Sequence, residues 1–324
     1  MKNKNILITG GAGFIGSNIA LYIQENYPDC KVTILDKFND NSELINGNKK
    51  YLGSFKNLIN FKGEVICGDI CETNKIKKIL ERKFDIIFHL AAISDTRATN
   101  QNEIFKENIN PFYDFIQIVK THGSKLVYAS SAAVYGSQNR SSFNIGEECP
   151  DNPYAFSKYA MDMMTCRVLQ NFDDIDLVGL RYFNVYGEGE ANKGHTASTI
   201  FQFTQQILKG NKPKLFEESD KIFRDFVYIK DVVKVSVEAG FSETKGIFNV
   251  GSGTSRSFFE VYDIIKKCLE SDLEADFIPN PYKEGYQYFT KANILDTELK
   301  LNYKPRYSLE EGISDYLQNL KYFL

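Results

Sequence analysis

The apolar positions in the first half of the chain fall into short, nearly continuous runs rich in Val and Ile. Because both faces of such a run are apolar, each is typical of a strand buried on both sides in a parallel sheet. The predicted strands are Asn5–Thr9, Lys31–Asp36, Glu64–Ile70, Asp85–Ala92, Lys125–Ser131 and Asp176–Tyr182.

Amphipathic segments, with apolar residues at helical spacing, separate these runs. Alternation of strand and helix predicts a doubly wound α/β fold of the Rossmann type. The predicted helices are Gly16–Glu25, Lys75–Arg82, Ile104–Lys120 and Tyr154–Gln170, and residues 39–50 are predicted to form a polar loop.

The pattern loosens after Tyr182, and we expect the second half to be divided between two lobes. Strands Phe226–Ile229 and Gly246–Val250 should return to the sheet. The dinucleotide-binding domain would span 1–183 plus about 226–253, and a smaller, discontinuous α/β lobe for the substrate would span about 184–225 plus 254–324. That second half is predicted to contain the loop Gly187–Gly194, the helices Thr196–Leu208 and Phe258–Leu269, and the segments Pro213–Phe216 and Phe277–Phe289.

The composition of the chain limits the kinds of binding partner that we expect. The 324 residues carry a net charge of −3, which gives no indication of a nucleic-acid or acidic-membrane partner. Apolar runs are shorter than the ~18–20 residues that span a bilayer, and the amino terminus lacks a signal-peptide pattern, so we expect a cytoplasmic protein. Six scattered cysteines predict free, buried thiols, and three separated histidines give no indication of a metal site.

A glycine-rich turn, Gly10-x-x-Gly13-x-x-Gly16, follows the first strand and precedes a helix. Glycines let the backbone approach a pyrophosphate, whose charge is stabilised at a helix amino terminus. Asp36 ends the next strand, where a carboxylate can bind the adenosine ribose. The order of strand, turn, helix, strand and acid predicts a dinucleotide site.

These residues leave the choice between NAD and NADP open. Asp36 favours a free 2′-hydroxyl, whereas Lys37 or Lys56 can neutralise a 2′-phosphate. Asp69, near the end of the third predicted strand, is placed to reach the adenine amino group. The small side chains of Ala91-Ala92 would leave room for the cofactor, although an alanine pair is also compatible with simple packing.

Tyr154 and Lys158 are four residues apart on a predicted helix and therefore share a face. A nearby ammonium favours phenolate, so we expect Lys158 to lower the pKa of Tyr154 and make it an acid–base group near neutral pH. Ser131 lies at the carboxyl edge of the sheet, where it either caps the next segment or hydrogen-bonds a substrate oxygen.

In this order, these motifs and the sequence Ala132-Ala-Val-Tyr135-Gly136 resemble the extended short-chain dehydrogenase/reductase family of nucleotide-sugar enzymes. The resemblance covers nearly the whole chain. Downstream segments resemble those members that epimerise ADP-linked heptoses: Arg181–Gly187, Lys193–Ser198, Pro213–Ser219, Arg224–Tyr228 and Tyr286–Thr290.

The resemblance implies inversion at C6″ of an ADP-linked heptose destined for a polymer such as lipopolysaccharide. It implies transient oxidation to a ketone and re-reduction with tightly bound NADP (NAD possible), one per subunit of a homo-oligomer. Because the ketone must present its other face before hydride returns, two acid–base groups are needed, and the resemblance assigns Tyr154 and Lys193. Lys193, otherwise interpreted as a solvated loop lysine, would need a lowered pKa. Lys158 would also hold the nicotinamide ribose.

The resemblance implies further site residues. Arg224 would bind the diphosphate with its guanidinium, although a salt bridge with Asp225 fits the sequence equally well. The implied cofactor contacts are Gly10, Gly13, Phe14, Ile15, Gly16, Asp36, Lys37, Lys56, Asp69, Ile70, Leu90, Ala91, Ala92, Asn108, Lys158 and Val185. The implied substrate contacts are Ser94, Asn184, His195, Gln202, Phe216, Glu217, Ser219, Arg224 and Tyr286.

Four positions depart from the family pattern: His195 for serine, Gln202 for histidine, Glu43 for a basic residue and Glu218 for glycine. They leave open another reaction of the same family, such as a 4-epimerase or dehydratase acting on a UDP- or GDP-sugar. An alternative of another class, a non-catalytic dinucleotide-binding protein, predicts loss of Ser131, Tyr154 or Lys158, and all three are present.

Overall fold

A computed structural model describes residues 3–138, 140, 142–280 and 287–320. Its strands are β1 (Asn5–Thr9), β2 (Lys31–Asp36), β3 (Glu64–Cys67), β4 (Ile86–His89), β5 (Lys125–Ser131), β6 (Asp176–Tyr182), β7 (Asn184–Tyr186), β8 (Lys214–Phe216), β9 (Phe223–Tyr228), β10 (Gly246–Val250), β11 (Ser255–Ser257) and β12 (Asp276–Ile278). Its α-helices are α1 (Phe14–Asn26), α2 (Thr73–Leu80), α3 (Gln101–His122), α4 (Pro153–Asn171), α5 (Thr199–Leu208), α6 (Ile229–Phe241), α7 (Phe258–Cys268), α8 (Leu295–Leu301) and α9 (Leu309–Leu320).

Within the described residues, a seven-stranded parallel sheet has the order β10-β6-β5-β4-β1-β2-β3. All six strands predicted in the first half belong to it, with β3 and β4 shorter than expected, and the predicted doubly wound fold is confirmed.

Alternate residues of the central strands contribute to two cores, one on each face of the sheet. Ile6 and Ile8 of β1 pack in the core that contains α1 and α6, whereas Leu7 packs in the core that contains α2, α3 and α4. Side chains of a strand point alternately to the two faces, so helices must cover both of them. The continuous apolar runs of the sequence reflect this arrangement.

The prediction that Phe226–Ile229 returns to the main sheet is wrong. β9 instead pairs with β7 and β11 in a separate three-stranded sheet. The free edge of β6 is taken by β10, whose predicted return to the sheet is confirmed. An apolar run does not specify which of two edges it will pair with, and the proposed lobe boundaries remain a prediction.

All six cysteines are free, as predicted, but the expectation that they are buried is wrong. Cys30 and Cys71 are half-buried and the other four are exposed, because Ile, Leu, Val and Phe side chains fill the cores. Across the part of the chain that the structure describes, no helix combines the length and apolar character needed to cross a membrane.

Candidate active site

A cleft of about 340 Å³ opens where β1, β2, β4 and β5 end. The carboxyl edge of a parallel sheet is where α/β folds bind their ligands. The cleft brings together the glycine turn, three of the residues predicted for the adenosine end (Asp36, Lys37 and Asp69) and all four predicted catalytic residues. The predicted residues that line it are Gly10, Gly13, Phe14, Ile15, Gly16, Asp36, Lys37, Asp69, Ile70, Leu90, Ala91, Ala92, Ser94, Ser131, Tyr154, Lys158, Val185 and Lys193.

The glycine turn leads directly into α1. Gly13 is the residue before the helix, and no side chain caps the first turn. The amino-terminal N–H groups of α1 therefore keep donor capacity for an anion. A Cβ on Gly16 would lie 2.3 Å from the carbonyl oxygen of Gly10, so only glycine fits this position. The turn fits the pyrophosphate of a dinucleotide.

Asp36 lies at the end of β2 and is buried. Its carboxylate accepts hydrogen bonds from the backbone N–H groups of Ala12 at 2.9 Å and Phe38 at 2.7 Å. Burial raises the pKa of Asp36 and outweighs these two donors. The carboxylate is held rigidly at the edge of the cleft where an adenosine ribose would lie.

Lys37 also lines the cleft, but its ammonium is already paired. Its Nζ lies 2.8 Å from the Asp69 carboxylate and 2.7 Å from the Tyr51 hydroxyl. The Tyr51 hydroxyl in turn donates to Glu107 at 2.9 Å. Any 2′-phosphate at this end must therefore compete with Asp69 for Lys37.

Two predicted cofactor contacts lie outside the cleft lining. Lys56 is exposed on the 3₁₀ turn Phe55–Leu58. Asn108 is buried on α3, where its amide bonds the backbone N–H and carbonyl of Ile93 at 2.9 and 3.0 Å and the Ser157 hydroxyl at 3.0 Å. Asn108 therefore links the segment after β4 to α4. Because its side chain points to the interior, it lies behind the residues that line the cleft.

Tyr154 and Lys158 occupy the first turns of α4, and both are buried. Burial lowers the pKa of Lys158 to about 8. The expectation that Lys158 lowers the pKa of Tyr154 is wrong, since burial raises it and only a hydrogen bond with Ser131 opposes this. The Lys158 Nζ is 5.9 Å from the Tyr154 ring centre. Burial disfavours the charged form of both groups. It therefore favours the neutral phenol of Tyr154 and makes Lys158 a weaker base than a solvent-exposed lysine.

Ser131 combines the two roles that its position allowed. Its hydroxyl oxygen accepts from the Ala133 N–H at 3.1 Å, so it caps the short 3₁₀ turn that follows β5. The same side chain lines the cleft and hydrogen-bonds Tyr154.

Lys193 lies on the 3₁₀ segment Glu190–Thr196 and is half-buried. Its Nζ is 5.5 Å from the ring centre of Phe14, the first residue of α1. Burial lowers the pKa of Lys193, and the charge of Glu190 opposes the shift. The direction that acid–base work requires is confirmed. Lys193 contacts the first residue of α1, and Tyr154 lies in the first turn of α4. The cores place these two helices on opposite faces of the sheet.

Apart from Ser94, the predicted substrate contacts that the structure describes lie outside the cleft lining. Gln202 of α5 donates to the backbone carbonyls of Ala197 at 2.8 Å and His195 at 3.4 Å, so it braces the Lys193 segment. Tyr286 falls outside the described residues. The others are found on or beside β7, the 3₁₀ segment, β8 and β9: Asn184, His195, Phe216, Glu217, Ser219 and Arg224.

Arg224 and the adjacent Asp225 contact different parts of the structure. The Arg224 guanidinium packs 5.5 Å from the ring centre of Phe258. The Asp225 carboxylate accepts from the backbone N–H groups of Ser252, Gly253 and Ala292. Adjacent residues of a strand project to opposite faces, which disfavours the salt bridge that the sequence allowed.

Glu218 occupies a strained backbone position. Its φ of 61° lies in the left-handed region that glycine adopts most readily. The glycine expected from the family resemblance therefore has a local reason, and this chain carries the strain in its absence.

Several residues at the cleft were not predicted from the sequence. Tyr51 follows the polar loop of residues 39–50 and Glu107 lies on α3, and only the tertiary fold brings both to the cleft lining. Glu190, fully buried beside Lys193, was also missed. A glutamate three residues before a lysine does not by itself predict that the two side chains will interact in a buried site.

The fold and the cleft define an enzyme that uses a nicotinamide dinucleotide. Residues 6–251 match the NAD dependent epimerase/dehydratase family, a span that contains the glycine turn and all four predicted catalytic residues. The chain belongs to this family.

The chain is similar to three proteins whose activities are named. The chain is 35% identical over 324 residues to the ADP-L-glycero-D-manno-heptose-6-epimerase of Brachyspira hyodysenteriae, with 98% of each chain covered. It is 42% identical to the Helicobacter pylori ADP-L-glycero-D-manno-heptose-6-epimerase, whose crystal structure matches with a TM-score of 0.89 over 99% of this chain and 97% of that one. A UDP-N-acetylglucosamine 4-epimerase from Methanobrevibacter ruminantium is 28% identical, with a TM-score of 0.88 over the whole of both chains.

Proposed function

We propose that the protein is an isomerase that inverts C6″ of ADP-D-glycero-D-manno-heptose to the L-glycero form. The similarity to two heptose epimerases over nearly the full chain supports this activity. The observation that carries it is that Tyr154 and Lys193, held by α4 and by the segment next to α1, line one cleft together with the glycine turn.

Nicotinamide chemistry supplies a reversible hydride acceptor for the sugar carbon. The chain's own residues must move a proton on and off the C6″ oxygen, on one side before the ketone reorients and on the other side afterwards. Burial favours neutral Lys193, which can accept a proton, and neutral Tyr154, which can donate one. Ser131 and Lys158 hold Tyr154 and the bound reactants in place.

The finer cofactor assignment is also a proposal. We assign tightly bound NADP, one per subunit, with Lys37 facing the 2′-phosphate, because Lys37 lines the cleft next to Asp36. Chromatography of the nucleotide released from heat-denatured protein tests this assignment. NAD as the main species would overturn it while leaving the epimerase proposal intact.

The oligomeric state and the division into two lobes are also proposed. We expect a homo-oligomer, which sedimentation equilibrium measures. Residues of about 184–225 plus 254–324, which include β7, β8, β11 and β12, would form the smaller lobe that holds the sugar nucleotide. The cytoplasmic location stays a prediction.

The activity is tested by incubating the purified protein with ADP-D-glycero-D-manno-heptose and no added cofactor, and following C6″ stereochemistry by NMR. We expect conversion without deuterium uptake at C6″ in deuterated solvent, since hydride stays within the site. Lys193→Met should lower the rate by about 10²–10⁴-fold and keep the cofactor bound, because it removes one acid–base group.

The matched control is Lys209→Met, at an exposed lysine that ends α5, which should epimerise like the wild type. Absence of heptose conversion together with activity on a UDP-hexose would reject the proposed function. An unchanged rate in Lys193→Met would reject the two-base assignment.

A further inference from the structure

Glu190 is a fully buried carboxylate that the reaction as described does not use. It begins the 3₁₀ segment that carries Lys193, three residues before it, and none of its surface is exposed to solvent. Burying a charged carboxylate is costly unless it is hydrogen-bonded or paired. Its position therefore requires an explanation.

Three donors surround the Glu190 carboxylate. The backbone N–H of Gly187 donates to it at 2.9 Å, the N–H of Ser198 at 2.6 Å and the Ser198 hydroxyl at 2.9 Å. The Ser198 oxygen itself accepts from the Phe201 N–H at 3.1 Å, which leaves its proton for Glu190. Burial raises the pKa of Glu190, and the charge of Lys193 and these three donors oppose the rise. Because each partner donates, the geometry accommodates an ionised carboxylate.

These hydrogen bonds close the segment that presents Lys193. Gly187 directly follows β7, and Ser198 is the amino-terminal cap of α5. Between them, Gly194 turns the chain with a φ of 57°. Glu190 thus fixes both ends of the loop on which Lys193 is carried.

Glu190 also acts on the charge of Lys193. Burial lowers the pKa of Lys193, and the charge of Glu190 raises it. The other titratable groups that share the cleft are Tyr154, Lys158, Asp36, Lys37, Asp69 and Glu107, while Tyr186 and Tyr316 lie near Glu190.

We propose that Glu190 is a positioning residue for Lys193: its carboxylate fixes the loop and keeps Lys193 able to hold a proton as well as release it. An acid–base group must do both within one catalytic cycle. Loss of the Glu190 charge would shift Lys193 further towards the neutral amine. This inference rests on the proposed role of Lys193 in epimerisation.

The test measures the proton affinity of Lys193 directly. Acetic anhydride labels only the neutral amine, so labelling of Lys193 in the purified holoenzyme is followed against pH by peptide mass spectrometry. Glu190→Gln keeps the side-chain shape and removes the charge, so the labelling midpoint should move to lower pH. A merely structural role would let the loop open, and the midpoint would rise towards that of free lysine.

Two variants complete the design. Glu190→Asp keeps the charge and should leave the midpoint near that of the wild type. Glu188→Gln, at a half-buried carboxylate two residues earlier, is the matched control and should change nothing. We expect kcat of Glu190→Gln to fall by about 10- to 100-fold, with a smaller change in KM.

An unchanged or raised midpoint in Glu190→Gln overturns the inference. Labelling needs no turnover, so failure of the wild type to convert the heptose would reject the proposed function separately.

Discussion

At the scale of single residues, burial sets the chemistry of the cleft. It raises the pKa of Tyr154 and lowers those of Lys158 and Lys193, in each case against the charged form. The same rule governs His89, which lies at the end of β4 with its Nδ1 2.9 Å from the Thr9 hydroxyl. Burial lowers the pKa of His89 to about 3, and the charge of Lys158 adds to the shift.

His89 should therefore make the protein sensitive to acid. Its folded pKa lies below the unfolded value of 6.5, so its contribution to stability is present above pH 6.5 and is lost as pH falls towards 3. Between pH 7 and 4.5 the loss should be about 2–3 kcal/mol. Urea unfolding at both pH values measures it.

His89→Gln should lose less stability than the wild type over that interval, because no imidazole is left to titrate in the unfolded chain. His195→Asn, at an exposed histidine, should behave like the wild type. Equal losses in all three proteins would contradict the assignment to His89.

At the scale of elements, the polar loop after β2 is a wall of the site. The Asn39 N–H donates to the Gly53 carbonyl at 3.0 Å, and the Ser54 N–H donates to the Ala12 carbonyl at 3.0 Å. These bonds fold the loop back over the glycine turn, and Tyr51, Leu52 and Gly53 line the cleft as a result.

Gly53→Ala should weaken cofactor binding. A Cβ at Gly53 would lie 2.2 Å from one oxygen of the Asp36 carboxylate. That carboxylate is held in place by two backbone N–H groups, one on each oxygen. Displacing Asp36 should cost about tenfold in affinity, equivalent to roughly 1.4 kcal/mol. Isothermal titration of cofactor-stripped protein with NADP and with NAD measures it.

Gly47→Ala is the control within the same loop. A Cβ there meets open space, although its φ of 78° disfavours alanine. We expect a stability loss of about 1 kcal/mol without a change in affinity. Equal affinity in Gly53→Ala and the wild type would show that the loop does not support Asp36.

At the scale of the whole molecule, a buried charge network joins distant parts of the chain. Arg181 of β6 contacts Asp162 of α4 at 2.8 Å, Glu148 of the segment between β5 and α4 at 2.5 Å, and the Tyr135 hydroxyl at 3.0 Å. The Arg181 side chain is 2% exposed. Asp162 also accepts from Ser130, next to Ser131 of the cleft lining, so the network connects stability to the site.

Arg181→Met should destabilise the protein by about 3–5 kcal/mol, because buried Asp162 and half-buried Glu148 would lose their shared guanidinium partner. Arg82→Met, which breaks an exposed ion pair with Glu64, should cost about 0–1 kcal/mol. Denaturant unfolding of cofactor-free protein compares the two. Similar small losses would mean that the network contributes little.

The parallel sheet, the glycine turn and the placement of Ser131, Tyr154 and Lys158 could be predicted from the sequence, because apolar periodicity and local spacing encode these features. The departure of β9 from the main sheet, the position of Asn108 behind the cleft, the presence of Tyr51 and Glu107 in the cleft lining and the burial of Glu190 near Lys193 could not. Pairing partners, burial and pKa depend on contacts between residues far apart in the chain. The pKa of Tyr154 is an example. The four-residue spacing predicts a lysine on the same face of the helix, but the direction of the pKa shift depends on burial, which raises it.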